Sequence, residues 1–159
     1  MAKQTIAQRS SAMAQVAIGI LLGAISMTAT ANGDPQNEQV IEARQQDFKT
    51  IEKNMKQLAR ALDAKDLDWS RLNTWVNESR QAASDLQTAF PVGSDDGSRA
   101  KSAVWNKPAK FNNLMAQMEQ GYDDMLKAVA NKNTAFAKQG LKQAGGTCKG
   151  CHRQYRSLW

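Results

Sequence analysis

Residues 148–156, Cys-Lys-Gly-Cys-His-Arg-Gln-Tyr-Arg, decide how the rest of the chain is interpreted. Cys148 and Cys151 stand at i and i+3 of a helix and His152 follows at i+4, so their side chains share one face. This spacing lets two thiols add to the vinyl groups of a haem while the imidazole binds the iron. The motif therefore predicts one covalently attached haem c, with His152 as its iron ligand.

Three other uses of these side chains agree less well with the sequence. Zinc normally takes four protein ligands, or three in a catalytic site, and the chain offers only this one local trio. A thioredoxin-like redox pair is expected beside a βαβ pattern, which is not found here. A disulfide between Cys148 and Cys151 would span an awkward separation on a helix and would leave His152 unexplained.

Apolar residues recur every three or four positions in four segments, the last of which carries the motif. Asp68 is the predicted N-cap of the second segment, and Pro108 fits the first turn of the third. The seams are Ile41, Arg44, Phe48, Ile51, Met55, Leu58 and Leu62; Trp69, Leu72, Val76, Ser79, Ala83, Leu86 and Phe90; Phe111, Leu114, Met118, Tyr122, Met125 and Val129; and Ala137, Leu141, Ala144, Cys148, Cys151 and Tyr155.

Sustained period-two alternation is absent, and short links join the helices except for the turn-rich residues 91–101. Short links favour antiparallel neighbours. We therefore predict an all-α, antiparallel up-down-up-down four-helix bundle with the haem attached near its C-terminal end. Gly145 and Gly146 interrupt the fourth helix, and we expect them to allow a haem edge to approach the backbone.

The N-terminal segment has the layout of a secretory signal. Lys3 and Arg9 precede an apolar run from residue 12 to residue 25, which leads into Ala29-Thr30-Ala31. The run is shorter than the roughly 20 residues of a membrane-spanning helix. We therefore predict that residues 1–31 are cleaved, that residues 32–159 form the domain, and that the protein is periplasmic with no membrane attachment.

The distribution of charge along the sequence argues against nucleic acid as a partner. Twenty-one Lys and Arg oppose 15 Asp and Glu, and removal of Lys3 and Arg9 lowers the formal net charge from +6 to +4. The charges are mixed along the chain, and no block of Lys and Arg is interleaved with aromatic residues. We therefore predict no nucleic-acid binding.

Three landmarks in order resemble the cytochromes c′, a family of four-helix haem proteins. Arg44-Gln45-Gln46-Asp47-Phe48 is similar to the family's Arg-x-x-x-hydrophobic stretch, Trp105 stands where a tryptophan precedes the third helix, and residues 148–156 end the bundle. The resemblance implies that Phe48 is a bulky distal residue that leaves the iron five-coordinate. It also implies haem-pocket roles for Trp105, Tyr155 and Arg156.

Arg44 is the one charged member of the first seam. A guanidinium among apolar residues needs an anionic partner, and a haem propionate would provide it. The alternative is a snorkelling surface arginine. The resemblance also suggests a homodimer through the first two helices, with Trp75 and Leu67 as the candidate apolar contacts.

These residues predict a binding protein and not an enzyme, because His152 is the only histidine and no distal base remains. A crowded apolar distal face favours small diatomic gases, nitric oxide and carbon monoxide. The resemblance to the cytochromes c′ implies a scavenging or sensing role. The alternative is a low-spin electron carrier in which Met55 ligates the iron. Met55, however, lies seven residues beyond Phe48, about 10 Å along the helix. The redox partner is not predicted.

Overall fold

The structure, a computed structural model, describes residues 34–158. This part of the chain contains five helices. They are α1 (Pro35–Leu62), α2 (Trp69–Asp85), α3 (Ala103–Asn106), α4 (Pro108–Ala130) and α5 (Thr134–Tyr155). Four are long and form the predicted bundle, and α3 is a single turn before α4. The predicted signal segment lies outside the described residues.

Side chains at the helix starts follow the sequence signals. Asp68 accepts the backbone N–H of Arg71 at 3.0 Å, which confirms the predicted N-cap, and Pro108 opens α4. Asp34 accepts the N–H of Gln36 at 3.0 Å, so α1 begins at Pro35. Proline suits this first helical position because its missing N–H would have no helical partner there.

The second helix ends earlier than its apolar seam suggests. After Asp85 the backbone hydrogen bonds span three residues instead of four. The N–H of Thr88 donates to the carbonyl of Asp85, and the N–H of Ala89 donates to the carbonyl of Leu86. Phe90 precedes Pro91, and a residue before proline is pushed towards extended backbone. Residues 86–90 therefore leave the helix and lead into the long loop.

The long helices lie around a square in which each packs against two neighbours. α1 packs against α2 and α5, and α4 packs against the same two helices. One core cluster fills the half of the bundle that includes Ile51, Phe111 and Tyr155, and a second fills the half that includes Leu58, Val76 and Met125. Since consecutive long helices are joined at alternate ends, neighbours run antiparallel, as predicted.

The tightest helix crossing is between α4 and α5. A Cβ built on Gly121 would lie 2.6 Å from the backbone nitrogen of Ala144, and one built on Gly140 would lie 2.7 Å from the carbonyl oxygen of Gly121. Only glycine permits this backbone approach. The crossing fixes the helix that carries the haem motif against α4.

A buried polar side chain also joins α1 to α2. Asn54 is fully buried and donates from Nδ2 to the carbonyl of Trp75 at 3.3 Å and to Oε2 of Glu78 at 2.9 Å. The sequence analysis did not single out this residue, since it stands beside the apolar seam. Among residues 34–158, no helix is long and apolar enough to cross a membrane.

Candidate haem site

A cavity of about 770 Å³ opens between α1 and α5 in the half of the bundle that holds the Cys-x-x-Cys-His motif. Its volume is within the range of about 300–1,000 Å³ that is usual for ligand and cofactor pockets. α4 and the loop residues 97–100 complete its wall. Of the eight predicted haem-binding residues, seven line it: Arg44, Phe48, Cys148, Cys151, His152, Tyr155 and Arg156.

The two cysteines are half-buried free thiols on the cavity wall. Burial raises the pKa of Cys148, and burial together with the neighbouring Cys148 raises the pKa of Cys151 to about 11. Redox-active Cys-x-x-Cys pairs have lowered thiol pKa values. The site is therefore unlike a thioredoxin-type pair.

His152 stands at the exposed edge of the cavity, where its ring is accessible. Partial burial and the nearby charge of Arg156 lower its pKa, which favours the neutral imidazole that binds metals. Among the described residues, no three His, Cys, Asp or Glu side chains converge as a bare metal ion requires. The donor set, two thiols and one imidazole, fits a covalently held haem.

Phe48 and His152 lie at the same height on opposite walls of the cavity. The methyl carbon of Met55 contacts α5 at Gly145, where a built Cβ would lie 2.7 Å from it. Phe48 is seven residues before Met55, and His152 is seven residues after Gly145. Because antiparallel helices rise 1.5 Å per residue, both lie about 10 Å from that contact on the same side. Both residues line the cavity, so they face the same space from α1 and α5.

Aromatic rings connect Phe48 to the haem-bearing helix. Phe48 meets Phe90 at a ring-centroid distance of 6.5 Å, Phe90 meets Phe111 at 4.8 Å, and Phe111 meets Tyr155 at 5.2 Å, all edge to face. Such pairs contribute roughly 0.5–1.5 kcal/mol each beyond the area that they bury. This chain of rings fixes the orientation of the predicted distal residue.

Arg44 is 3% exposed, so the snorkelling alternative is wrong. Its guanidinium donates to the carbonyl of Ala89 at 3.1 Å, to Oγ of Ser94 at 2.7 Å and to the carbonyl of Ser94 at 2.5 Å, and it stacks over Phe90 at 4.6 Å. Three of its five N–H donors are thus used by the loop after α2. Burial lowers the pKa of Arg44 despite the nearby Asp95. The propionate contact stays a prediction.

Trp105 is the predicted pocket residue that does not line the cavity. Its indole Nε1 donates to the carbonyls of Phe90 and Pro91 at 3.1 and 3.0 Å, and its ring packs on the core cluster beside the cavity. Its haem-pocket role stays a prediction. In the structure, Trp105 fixes the start of the loop that closes the cavity.

The expected reason for the glycine pair in α5 stays a prediction. A Cβ on Gly145 would lie 2.7 Å from the methyl carbon of Met55, and a Cβ on Gly146 would meet nothing within 4 Å. The glycines that backbone packing requires are Gly121 and Gly140. The sequence analysis missed them because a single glycine within a helical pattern gives no signal about its neighbours.

The rim of the cavity is positively charged. The cationic side chains that line it are Arg44, Lys49, Lys56, Arg99 and Arg156, against one carboxylate, Glu52, which pairs with Lys56 at 2.5 Å. A haem brings two carboxylates, so this excess of cations fits the group that the motif predicts. Together with the cavity volume and the donor set, the residues present suit a haem.

The C-terminal end of α5 is held to the loop at this rim. The N–H of Lys101 donates to the carbonyl of Tyr155 at 2.9 Å, and that of Ser157 donates to Arg99 at 2.8 Å. Ala100 and Arg156 form an isolated antiparallel bridge between these bonds. Residues 97–100 are therefore part of the site, although their sequence predicted only a connecting turn.

Comparisons with known proteins agree with this geometry. The family model described as Cytochrome C' matches residues 39–156. Cytochrome c′ of Pararhodospirillum photometricum is 26% identical over 125 residues, which are 75% of this chain and 97% of the relative. The structure of cytochrome c′ from Rubrivivax gelatinosus has a TM-score of 0.70 and 27% identity over 76% of this chain and 97% of its own.

A more distant structure was solved with a gas. A cytochrome c prime from Alcaligenes xylosoxidans, a ferrous variant with bound NO, has a TM-score of 0.69 and covers 77% of this chain and 97% of its own. At 16% identity, this likeness concerns the fold alone.

Proposed function

Because the chain belongs to the cytochrome c′ family and carries one covalent haem c, we propose that it binds nitric oxide and carbon monoxide at a five-coordinate haem iron. Cys148 and Cys151 would hold the haem through thioether bonds, and His152 would bind its iron from the α5 side. The haem supplies an iron with one open coordination position at which a diatomic gas binds. By binding these gases, the protein scavenges or senses them.

The observation that carries this proposal is the position of Phe48 across the cavity from His152. A phenyl ring offers iron no ligand, and Phe48 is held by the edge-to-face contact with Phe90. Its ring occupies the side on which a sixth ligand would have to approach. Phe48 thus keeps the iron five-coordinate and restricts the distal space to small ligands.

Three polar side chains of the cavity wall already donate to other groups of the protein. Thr147 donates its hydroxyl to the carbonyl of Ala144 at 2.8 Å, and Ser98 donates to Asp95 at 3.0 Å. Arg44 donates to the loop as described above. Stabilising bound O₂ requires a distal donor, whereas nitric oxide and carbon monoxide depend on one much less. No histidine remains as a distal base, and Glu52, the one carboxylate that lines the cavity, is paired with Lys56. Both features support a binding role and not an enzymatic one.

The rival function is low-spin electron transfer with Met55 as the sixth ligand. The contact of Met55 with Gly145 places its methyl group about 10 Å from the level of His152 along the bundle. A methionine side chain does not bridge that distance without a shift of α1. We therefore favour the gas-binding function.

The test is the visible spectrum of the reduced holo-protein before and after the addition of nitric oxide or carbon monoxide. We expect a broad high-spin spectrum that shifts with either gas. Met55→Ala should leave the spectrum unchanged, whereas Phe48→Met should add a ligand and give sharp low-spin bands. A wild-type spectrum that is already low-spin and becomes high-spin in Met55→Ala would refute five-coordination and establish the rival.

Location and assembly complete the proposal. Export to the periplasm rests on the predicted signal segment, and it is tested by finding the haem-loaded protein, shortened at Ala31, in a periplasmic extract. A homodimer through α1 and α2 stays a prediction. Trp75 and Leu67 are half-buried against the second core cluster, so they offer less exposed surface than expected. Light scattering of the holo-protein measures its mass directly.

A further inference from the structure

The charges of the chain are separated in space, although they alternate along much of the sequence. All 15 Asp and Glu residues occur at or before Asp124, and the residues after it include seven Lys and Arg. α5 therefore contains no acidic residue. Lys138, the first basic residue of α5, is paired with Asp63 at 2.6 Å, so the unpaired positive charge lies further along the helix.

The basic side chains of α5 continue onto two neighbouring segments. Lys101 donates from Nζ to the carbonyl of Arg153 at 3.3 Å, and Lys49, Lys56 and Arg99 border the same cavity as Arg156. We call this exposed surface the basic face; its members are Lys49, Lys56, Arg99, Lys101, Lys142, Lys149, Arg153 and Arg156.

The basic face is more positive than the haem alone requires. Its eight cations oppose Glu52 at the cavity and Asp95 and Asp96 in the loop before Arg99, for a net charge of +5, and the two carboxylates of a haem leave +3. The rest of residues 34–158 has 11 cations and 12 carboxylates, for a net charge of −1. The positive charge is thus concentrated on one side, where it steers an oppositely charged partner.

We infer that the basic face docks the acidic surface of a partner protein at the mouth of the haem cavity. From Lys142 to Arg153 the face runs about 16 Å along α5, and it continues across α1 and the loop. This extent suits a protein surface of about 800 Å² on each partner, whereas a small anion would engage only two or three of the cations.

A membrane surface is the less suitable occupant. Helices that lie on anionic membranes place an apolar face in the lipid beside their basic face. The apolar face of α5 includes Ala137, Ala144 and Tyr155, which are buried in the bundle. The inference depends on haem attachment but not on gas binding, so it can fail independently of the proposed function.

The experiment measures the binding of fluorescently labelled poly-L-glutamate to the holo-protein by anisotropy. One variant carries Lys101→Glu and Lys142→Glu on the basic face, and its control carries Lys65→Glu and Lys132→Glu in the loops at the other end of the bundle. Each pair lowers the net charge by four, and none of these residues lines the cavity. The haem spectrum is recorded for every variant to confirm that the cofactor is attached.

At about 0.01 M ionic strength, where the Debye length is about 30 Å, we expect the face pair to weaken binding at least tenfold and the control pair by less than about twofold. Equal weakening by both pairs would overturn the inference, because net charge alone would then explain binding. If the holo-protein sediments with phosphatidylglycerol vesicles at about 0.15 M salt but does not bind poly-L-glutamate at that salt concentration, the inference is overturned in favour of a membrane surface.

Discussion

Replacement of Gly121 by alanine should destabilise the protein by separating α4 from α5. The added Cβ would lie 2.6 Å from the nitrogen of Ala144 and 2.9 Å from the carbonyl oxygen of Gly140. Both are backbone atoms of a helix, so relief requires movement of the helix as a whole. Overpacking of this kind costs about 1–3 kcal/mol, and a cost at the upper end is expected because backbone yields least.

Alanine also favours the helical state more than glycine does, by about 1 kcal/mol. The net loss for Gly121→Ala is therefore about 2 kcal/mol, which corresponds to a fall in Tm of roughly 8 °C for a domain of this size. The measurement is thermal unfolding of the holo-protein followed by circular dichroism at 222 nm, the usual helix wavelength. Gly140→Ala should have a similar effect, since its Cβ would meet the backbone of Gly121 and Met125.

Gly145→Ala is the matched control, since it is the same substitution on the helix that carries Gly140. Its Cβ would meet only the methyl end of Met55, which can rotate away. The helix preference of alanine should then keep the Tm of this variant at or above that of the wild type. A wild-type Tm for Gly121→Ala, or an equal loss for Gly145→Ala, would refute the assignment of the α4–α5 crossing to these backbone contacts.

Four further changes test the site and its supports. Arg44→Lys keeps the charge but loses the forked bonds to the loop, so the unfolding free energy should fall by about 2 kcal/mol in urea titration. Trp105→Phe removes the indole donor to the carbonyls of Phe90 and Pro91, and the same titration should show a loss of about 1 kcal/mol. Burial, and secondly Asp85, raise the pKa of Asp47, so the folded state holds this proton more tightly than the unfolded state; its contribution to stability is present at low pH and is lost as the pH rises through the folded pKa. The Tm of Asp47→Asn relative to wild type should therefore increase as the pH rises from about 4 to about 7, and a difference that does not change with pH would contradict this. A chain with Cys148→Ser and Cys151→Ser should lose near-ultraviolet circular dichroism and gain dye binding, because it cannot attach the group that completes the core.

The sequence was sufficient for the features that depend on local spacing. The Cys-x-x-Cys-His pattern needs only the geometry of one helical turn, and the seams that include Ile51 and Leu58 needed only the helical period. Asp68 was identified as an N-cap because an Asp side chain just before an apolar seam commonly accepts a backbone N–H of the first helical turn. These predictions required no knowledge of which helices are neighbours.

The features that the sequence analysis missed all depend on contacts between distant segments. Arg44 finds its partners 45 and 50 residues away, at Ala89 and Ser94, and no local pattern indicates that a turn-rich loop will fold over α1. Trp105 was placed near the haem by resemblance, yet two backbone carbonyls orient its indole towards the loop. Gly140 and Gly121 become informative only when both helices are seen together.

The two halves of the bundle differ in how completely the chain itself fills them. Around Leu58 and Val76 the side chains close the core, whereas the half that contains Phe48 and His152 surrounds about 770 Å³. A cavity of this size leaves the core of that half incomplete, because protein interiors are otherwise close-packed. We therefore expect the haem half to pack fully only when the cofactor is attached, as a loss of near-ultraviolet circular dichroism in the cysteine double variant would show.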